Sequence, residues 1–186
     1  MPNLYIIGGA NGAGKTTAAL KLLPEFLSCY EYVNADSIAA GLSPFKPESV
    51  ALQAGRLMLE RLQTLAGSGV DFAFESTLAS HPLSVLERCR REAYTIHLLY
   101  IWLRSPELAV QRVAQRVRSG GHAVPEATIR RRYEAGRKNL VTLYTPLADD
   151  WMVYDNSGDE LVLVAEGGRN EESIIHNLEC WEDIIG

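Results

Sequence analysis

The sequence predicts an α/β domain: a mainly parallel central sheet with helices on both faces. Three observations lead there. Short apolar runs alternate with helical stretches along the whole chain. The first apolar run ends in glycines that open directly into a helix. No repeat, low-complexity tract or linker divides the 186 residues, so residues 1–186 read as one domain. Apolar strands alternating with helices are buried on both faces of a parallel sheet. Ligands of such sheets bind beyond the carboxyl ends of the strands.

Taken in order, Asn3 to Gly8 is an apolar strand ending in glycines. Thr16 to Leu23 reads as a helix stopped by Pro24, and Tyr32 to Asn34 as a short strand. Pro47 starts a long helix reaching about Leu65, closed by Gly67 and Gly69. Val70 to Phe74 is a strand, Leu83 to Glu92 a helix, and Thr95 to Leu103 a buried strand. Pro106 opens a helix that runs to Ser119, where Gly120-Gly121-His122 breaks it. Glu126 to Tyr144 is helical, with Ile129, Tyr133, Gly136, Leu140 and Tyr144 along one face. Trp151 to Tyr154 and Leu161 to Ala165 are the last strands, and Glu171 to Trp181 a closing helix.

Composition narrows the function classes. No run of about 18 apolar residues is present, so no segment is expected to span a membrane. The N-terminus lacks the basic and apolar regions of a signal peptide, and the chain is read as cytoplasmic. Cys29, Cys89 and Cys180 are far apart and odd in number, which suits reduced structural thiols. His81, His97, His122 and His176 show no metal-ligand spacing. The net charge is −5, yet residues 112 to 138 hold eight basic residues against Glu126 and Glu134, a window of +6 that leaves −11 for the rest. An acidic chain with one basic segment is a poor general nucleic-acid binder; it suits the grip of a compact polyanion at one place.

The strongest motif is Gly9-Ala10-Asn11-Gly12-Ala13-Gly14-Lys15-Thr16, followed by Thr17. It fits G-x-x-x-x-G-K-[ST] between a strand and a helix, the context of a P-loop. Its glycines let backbone N–H groups converge on phosphate oxygens, and the helix start favours anions. Lys15 is expected at the β- and γ-phosphates of ATP and Thr16 on Mg²⁺, with Thr17 at the helix start beside them. Asn34-Ala35-Asp36 follows the second strand. Asp36 is either a general base for an attacking hydroxyl or the cap of a helix starting at Ser37. Phe74-Glu75-Ser76-Thr77-Leu78 ends the third strand. There Glu75 either holds a Mg²⁺ water or binds substrate, or is an exposed acid in a capping cluster. Arg112 and Arg116 share a helix face, Gly120 to Pro125 reads as a lid tip, and Arg132 lies on the return helix. These three are the arginines expected to reach nucleotide, within a lid at about 112–138; the other basic residues read as solvated. Tyr154-Asp155-Asn156-Ser157-Gly158 is either the edge of an adenine pocket, through Asn156, or a plain turn.

Together, the P-loop, Asn34-Ala35-Asp36, Phe74-Glu75-Ser76-Thr77-Leu78 and the arginine-rich lid resemble the zeta-toxin-like P-loop kinases over most of the chain. Toxins of that family phosphorylate UDP-activated amino sugars. The resemblance implies Asp36 as catalytic base and maps the family's strand-three glutamate onto Glu75. For a true toxin it implies an antitoxin partner. The layout is also similar to adenylate-kinase-type enzymes, which implies Arg112 near adenine, Arg116 and Arg132 on phosphate, and Asn156 in the adenine-side loop. The chain is shorter than typical zeta toxins. The reading is a small-molecule kinase using ATP and Mg²⁺. Its rivals are a P-loop ATP-binding switch or regulatory ATPase without a small-molecule acceptor, and a kinase for a nucleotide, sugar acid or antibiotic.

Overall fold

The computed structural model describes residues 1–80 and 82–186; His81, named among the histidines above, lies outside the described residues. The chain runs β1 (Asn3–Gly9), α1 (Lys15–Phe26), β2 (Glu31–Val33), α2 (Ala35–Leu42), α3 (Ala51–Ala66), β3 (Phe72–Ser76), α4 (Leu83–Arg91), β4 (Thr95–Trp102), α5 (Pro106–Arg118), α6 (Glu126–Asn139), β5 (Asp150–Asp155), β6 (Val162–Gly168), β7 (Ile174–Ile175) and α7 (Leu178–Ile185). A 3-10 turn (Pro47–Val50) leads into α3, and a π-helical turn (Leu140–Tyr144) extends α6.

Among the described residues the sheet has seven strands, ordered β2-β3-β1-β4-β5-β6-β7. The five from β2 to β5 are parallel, and β6 and β7 join antiparallel at one edge. β1 sits between β3 and β4, in register Ile7↔Glu75 and Ile7↔Leu99. Strand order reverses around β1, so the crevice at its carboxyl end is the expected ligand position.

Three apolar clusters fix this frame. On one face Leu4, Ile6, Phe72, Phe74, Leu98 and Tyr100 pack with Leu62 and Leu65 of α3 and Val85 and Leu86 of α4. On the other, Ile7 and Ala73 pack with Ala19 and Leu23 of α1. A third joins Ala10 and Ala13 to Ala109 and Val113 of α5 and to Ile129 and Tyr133 of α6. That last cluster seats both arginine-bearing helices against the loop after β1.

Several boundaries differ from the sequence reading. Pro24 lies inside α1 instead of ending it. It removes one ladder hydrogen bond near the helix end, and Leu27 N–H still closes onto the Leu22 carbonyl at 3.2 Å. Pro47 opens the 3-10 turn, and the α-helix proper begins at Ala51. The helix expected from Glu171 starts only at Leu178, where Asn177 caps it by accepting from Cys180 N–H at 3.1 Å. The β-branched pair Ile174-Ile175 joins the sheet edge against Ala165 and Glu166 instead. Cys29 and Cys89 are free and buried, and burial pushes both thiols up to about 11. No helix among the described residues is long and apolar enough to cross a membrane, and no group of three or more His, Cys, Asp or Glu there is placed to hold a metal ion.

Candidate active site

The loop between β1 and α1 is shaped by backbone that only glycine tolerates. Gly9 has φ of +143°, and a Cβ there would lie 2.3 Å from the Ile101 carbonyl oxygen of β4. Gly14 has φ of +92° and begins α1 without any side-chain cap. No acid of the helix itself occupies the first turn of α1, so none of its own side chains competes for its leading N–H groups. Ala10, Asn11 and Ala13 are buried, and Asn11 Oδ1 has no partner among the described residues.

Lys15 is 5% exposed, an unusual state for an ammonium group. It donates to the Ala10 carbonyl at 2.8 Å and stands 3.6 Å from Glu75 Oε1. Burial lowers its pKa; the Glu75 and Asp36 carboxylates work against that, and the Arg116 guanidinium adds to it. Lys15, Asp36, Glu75 and Arg116 thus share one electrostatic neighbourhood, although they come from four different elements. Glu75, at the end of β3, is held firmly. Its Oε2 accepts from Thr16 Oγ1 at 2.7 Å, from Tyr32 OH at 2.6 Å and from Asn34 Nδ2 at 2.8 Å. Burial, and then Glu75, raises the Tyr32 phenol pKa, so Tyr32 remains a proton donor to that carboxylate.

The capping role offered for Asp36 belongs to Asn34. Asn34 is the N-cap of α2, and its Oδ1 accepts from Asp36 N–H at 2.8 Å and Ser37 N–H at 3.3 Å. Asp36 is an exposed residue of the first turn, with its carboxylate not engaged as a cap.

The basic segment divides into arginines with and without structural partners. Arg130 pairs with Glu107 of α5 and Glu126 of its own helix. Arg137 donates to the carbonyls of Asp183, Ile184 and Gly186. Arg112 packs beside Gly12 and donates to the Ser157 carbonyl at 3.4 Å. Arg116 donates through Nη2 to the His122 carbonyl at 2.8 Å, while its buried Nε has no partner among the described residues. A Cβ on Gly121 would lie 2.5 Å from Arg116 Cγ, so the glycine lets the tip of this segment fold onto that arginine. Arg132 is half-buried on α6 and makes no hydrogen bond or ion pair with the described residues. Asn156 does more than form a turn: its Nδ2 donates to the Ala13 carbonyl at 2.8 Å, bracing the loop after β1 from the end of β5.

Two residues of the site were missed in the sequence. Tyr32 is one, although a strand period of two already puts residues 32 and 34 on one face. Asn139 is the other. Its Nδ2 donates to the Leu78 carbonyl at 2.7 Å, and a Cβ on neighbouring Gly136 would lie 2.2 Å from the Thr77 carbonyl oxygen. Helix α6 therefore rests on the loop that follows Glu75, joining the return arm of the basic segment to the cleft floor.

A glycine loop after the central strand, an acid on the neighbouring strand and arginine-bearing helices above them define the P-loop NTPase fold in its kinase-like form. The sequence pattern of the zeta toxin family matches residues 1–167, and the chain belongs to that family. A relative from Haemophilus influenzae (strain ATCC 51907 / DSM 11121 / KW20 / Rd), described as an uncharacterized protein, is 29% identical over 128 residues, 67% of this chain and 88% of that one. A crystal structure of AvrRxo1-ORF1:-ORF2 with ATP matches with a TM-score of 0.78 at 21% identity, covering all of this chain and 64% of that one. This chain thus spans less than two thirds of that neighbour's length. A structure from the PezAT chromosomal toxin-antitoxin system of Streptococcus pneumoniae matches with a TM-score of 0.68 at 17% identity, over 100% of this chain and 77% of that one. At these identities the two structural likenesses are of fold.

Proposed function

We propose that this chain is a kinase that transfers the γ-phosphate of ATP to a small-molecule hydroxyl. The observation that carries the reading is the state of Asp36. Its capping duty is taken by Asn34, and its carboxylate stands close enough to Lys15 to oppose the effect of burial on that ammonium. A carboxylate without a capping duty and within electrostatic reach of the phosphate lysine supports Asp36 as the acceptor of the proton of an attacking hydroxyl.

The remaining roles follow from charge. The leading N–H groups of α1, which has no side-chain cap, cradle phosphate together with the glycine loop, and Lys15 neutralises the β/γ bridge. Arg116 and Arg132 add positive charge as the transferred group loosens from its leaving oxygen, and Arg112 with Asn156 borders the nucleotide base. The oxygen donors on the floor fit Mg²⁺: Thr16 would ligate it and Glu75 would hold one of its waters or the acceptor, and the ion supplies charge neutralisation on the phosphates. The glycine tip at 120–121 acts as a lid hinge that excludes water on closing. Family membership supports a UDP-activated amino sugar as acceptor. The ATP in the AvrRxo1 neighbour supports the nucleotide, and the PezAT system supports a protein antitoxin as partner. ATP as co-substrate supports a cytoplasmic setting.

Asp36→Asn tests this. The amide keeps the size of the side chain, and the α2 cap stays with Asn34, so folding and ATP binding are expected to survive. Transfer, read by mass spectrometry of candidate acceptors incubated with ATP, is expected to fall by about two to four orders of magnitude. Undiminished transfer sinks Asp36 as the base. A protein that binds ATP, phosphorylates no acceptor and is indifferent to this change is the regulatory ATPase instead.

A further inference from the structure

The two carboxylates to which the kinase reading gives work, Glu75 and Asp36, belong to different elements, β3 and α2. One buried side chain touches both elements. Asn34 is 6% exposed and lies between β2 and α2. Its amide has an acceptor end and a donor end. The acceptor end is committed: Oδ1 takes Asp36 N–H at 2.8 Å and Ser37 N–H at 3.3 Å. The donor end therefore faces the other way, and Nδ2 meets Glu75 Oε2 at 2.8 Å and Tyr32 OH at 3.2 Å. Tyr32 donates its own O–H to the same Glu75 oxygen at 2.6 Å. Asn34, Tyr32 and Glu75 close a triangle of hydrogen bonds.

We propose that Asn34 is a positioning residue that fixes Glu75 and Asp36 relative to one another, with Tyr32 as the support that holds its amide in place. The reading of what the two carboxylates do rests on the kinase function; the bridge itself does not. Its geometric effect is specific. With Thr16 as a third donor, Oε2 of Glu75 is saturated, and the carboxylate cannot rotate without breaking three bonds. Oε1 is then the oxygen left toward Lys15 at 3.6 Å. The other end of the amide locks the first turn of α2, and with it the direction from which Asp36 enters the cleft. Few side chains can replace Asn here. Asp caps a helix equally well but presents an acceptor to an acceptor. Ser caps with a single hydroxyl that cannot serve both ends. Loss of the amide removes two sets of bonds at a site that water does not reach freely.

The discriminating variant is Asn34→Asp, which keeps the cap and removes the bond to Glu75. Three quantities are read: ATP affinity by titration, steady-state transfer to an acceptor identified by screening, and the thermal unfolding midpoint. The expected result is ATP affinity close to wild type with kcat lower by about a hundredfold, the scale of a misplaced reacting group. Asn34→Asp combined with Glu75→Gln restores a donor facing an acceptor, so the double variant is expected to regain the stability that Asn34→Asp loses. Wild-type kcat in Asn34→Asp overturns the proposal. So does a loss of kcat matched by an equal loss of ATP affinity, which marks a merely structural residue, and so does strict additivity of the two stability changes. If the wild-type chain phosphorylates no acceptor, the kinase reading falls, and the stability cycle, which needs no turnover, still decides the bridge.

Discussion

The floor of the cleft and the arm above it are built on opposite principles. On the floor, nearly every polar group has a partner within the chain: Lys15 on Ala10, Thr16, Tyr32 and Asn34 on Glu75, Asn156 on Ala13. In the arm formed by α5 and α6, two of the arginines proposed to reach nucleotide are under-committed. Arg116 leaves a buried Nε without a partner, and Arg132 makes no bond with the described residues. The arginines that point elsewhere, Arg130 and Arg137, are fully engaged. Preorganised donors cost no rearrangement when charge develops in a transition state, so a rigid floor is an advantage where the phosphates rest. A group that must arrive with a closing lid is better left without a competing acceptor. On the kinase reading, the contrast separates charges that belong to structure from charges in reserve for a ligand.

The largest expected effect comes from removing the one cation on the floor that faces both carboxylates. Lys15→Ala removes the ammonium that Glu75 and Asp36 support and, on the kinase reading, the point charge at the β/γ bridge. Turnover is expected to fall by about 10³-fold or more, with ATP affinity reduced as well. A Lys15→Ala protein with near-normal turnover breaks the comparison at its base, because the floor would then not be where phosphate charge is met.

How much of this was legible in the sequence follows from how local each feature is. The loop from Gly9 to Thr16 was legible because its geometry is set within eight consecutive residues, with φ above zero at Gly9, Gly12 and Gly14. Glu75 was legible as an acid at a strand end, and the parallel sheet followed from the alternation of apolar runs with helices. The double role of Asn34 was not, because its partner is 41 residues away and the two meet only through the pairing of β2 with β3, Val33↔Phe74. Asp36 was offered as an alternative cap for a related reason: helix starts shift by a residue or two, and Asn and Asp cap about equally well. The eight basic residues looked alike in one dimension. Their sorting depends on Glu107 and on the carbonyls of α7, which other elements bring to them. Pro24 misled because packing of Leu23 and Ala19 against the sheet outweighs one lost ladder bond.

The finest test of the contrast sets two arginines of one helix against each other. Arg130 and Arg132 are two residues apart on α6, carry the same charge and have the same helix propensity. They differ in partners. Arg130, half-buried like Arg132, is held by Glu107 and Glu126, and the Glu107 carboxyl is in turn drawn below its ordinary value by that guanidinium. Arg132 has no such acids among the described residues. Removing Arg132 is therefore expected to lower transfer by about a hundredfold, as loss of one donor to developing charge does. Removing Arg130 breaks only exposed ion pairs, which are screened by solvent, and is expected to leave turnover within about twofold of wild type and the unfolding midpoint nearly unchanged. Net charge falls by one in both variants, so a purely electrostatic role for the whole basic segment predicts equal losses. Equal losses in Arg130→Ala and Arg132→Ala, measured as kcat at saturating ATP, would erase the distinction between committed and uncommitted arginines. A large loss in Arg132→Ala alone places that residue among the groups that meet the phosphates.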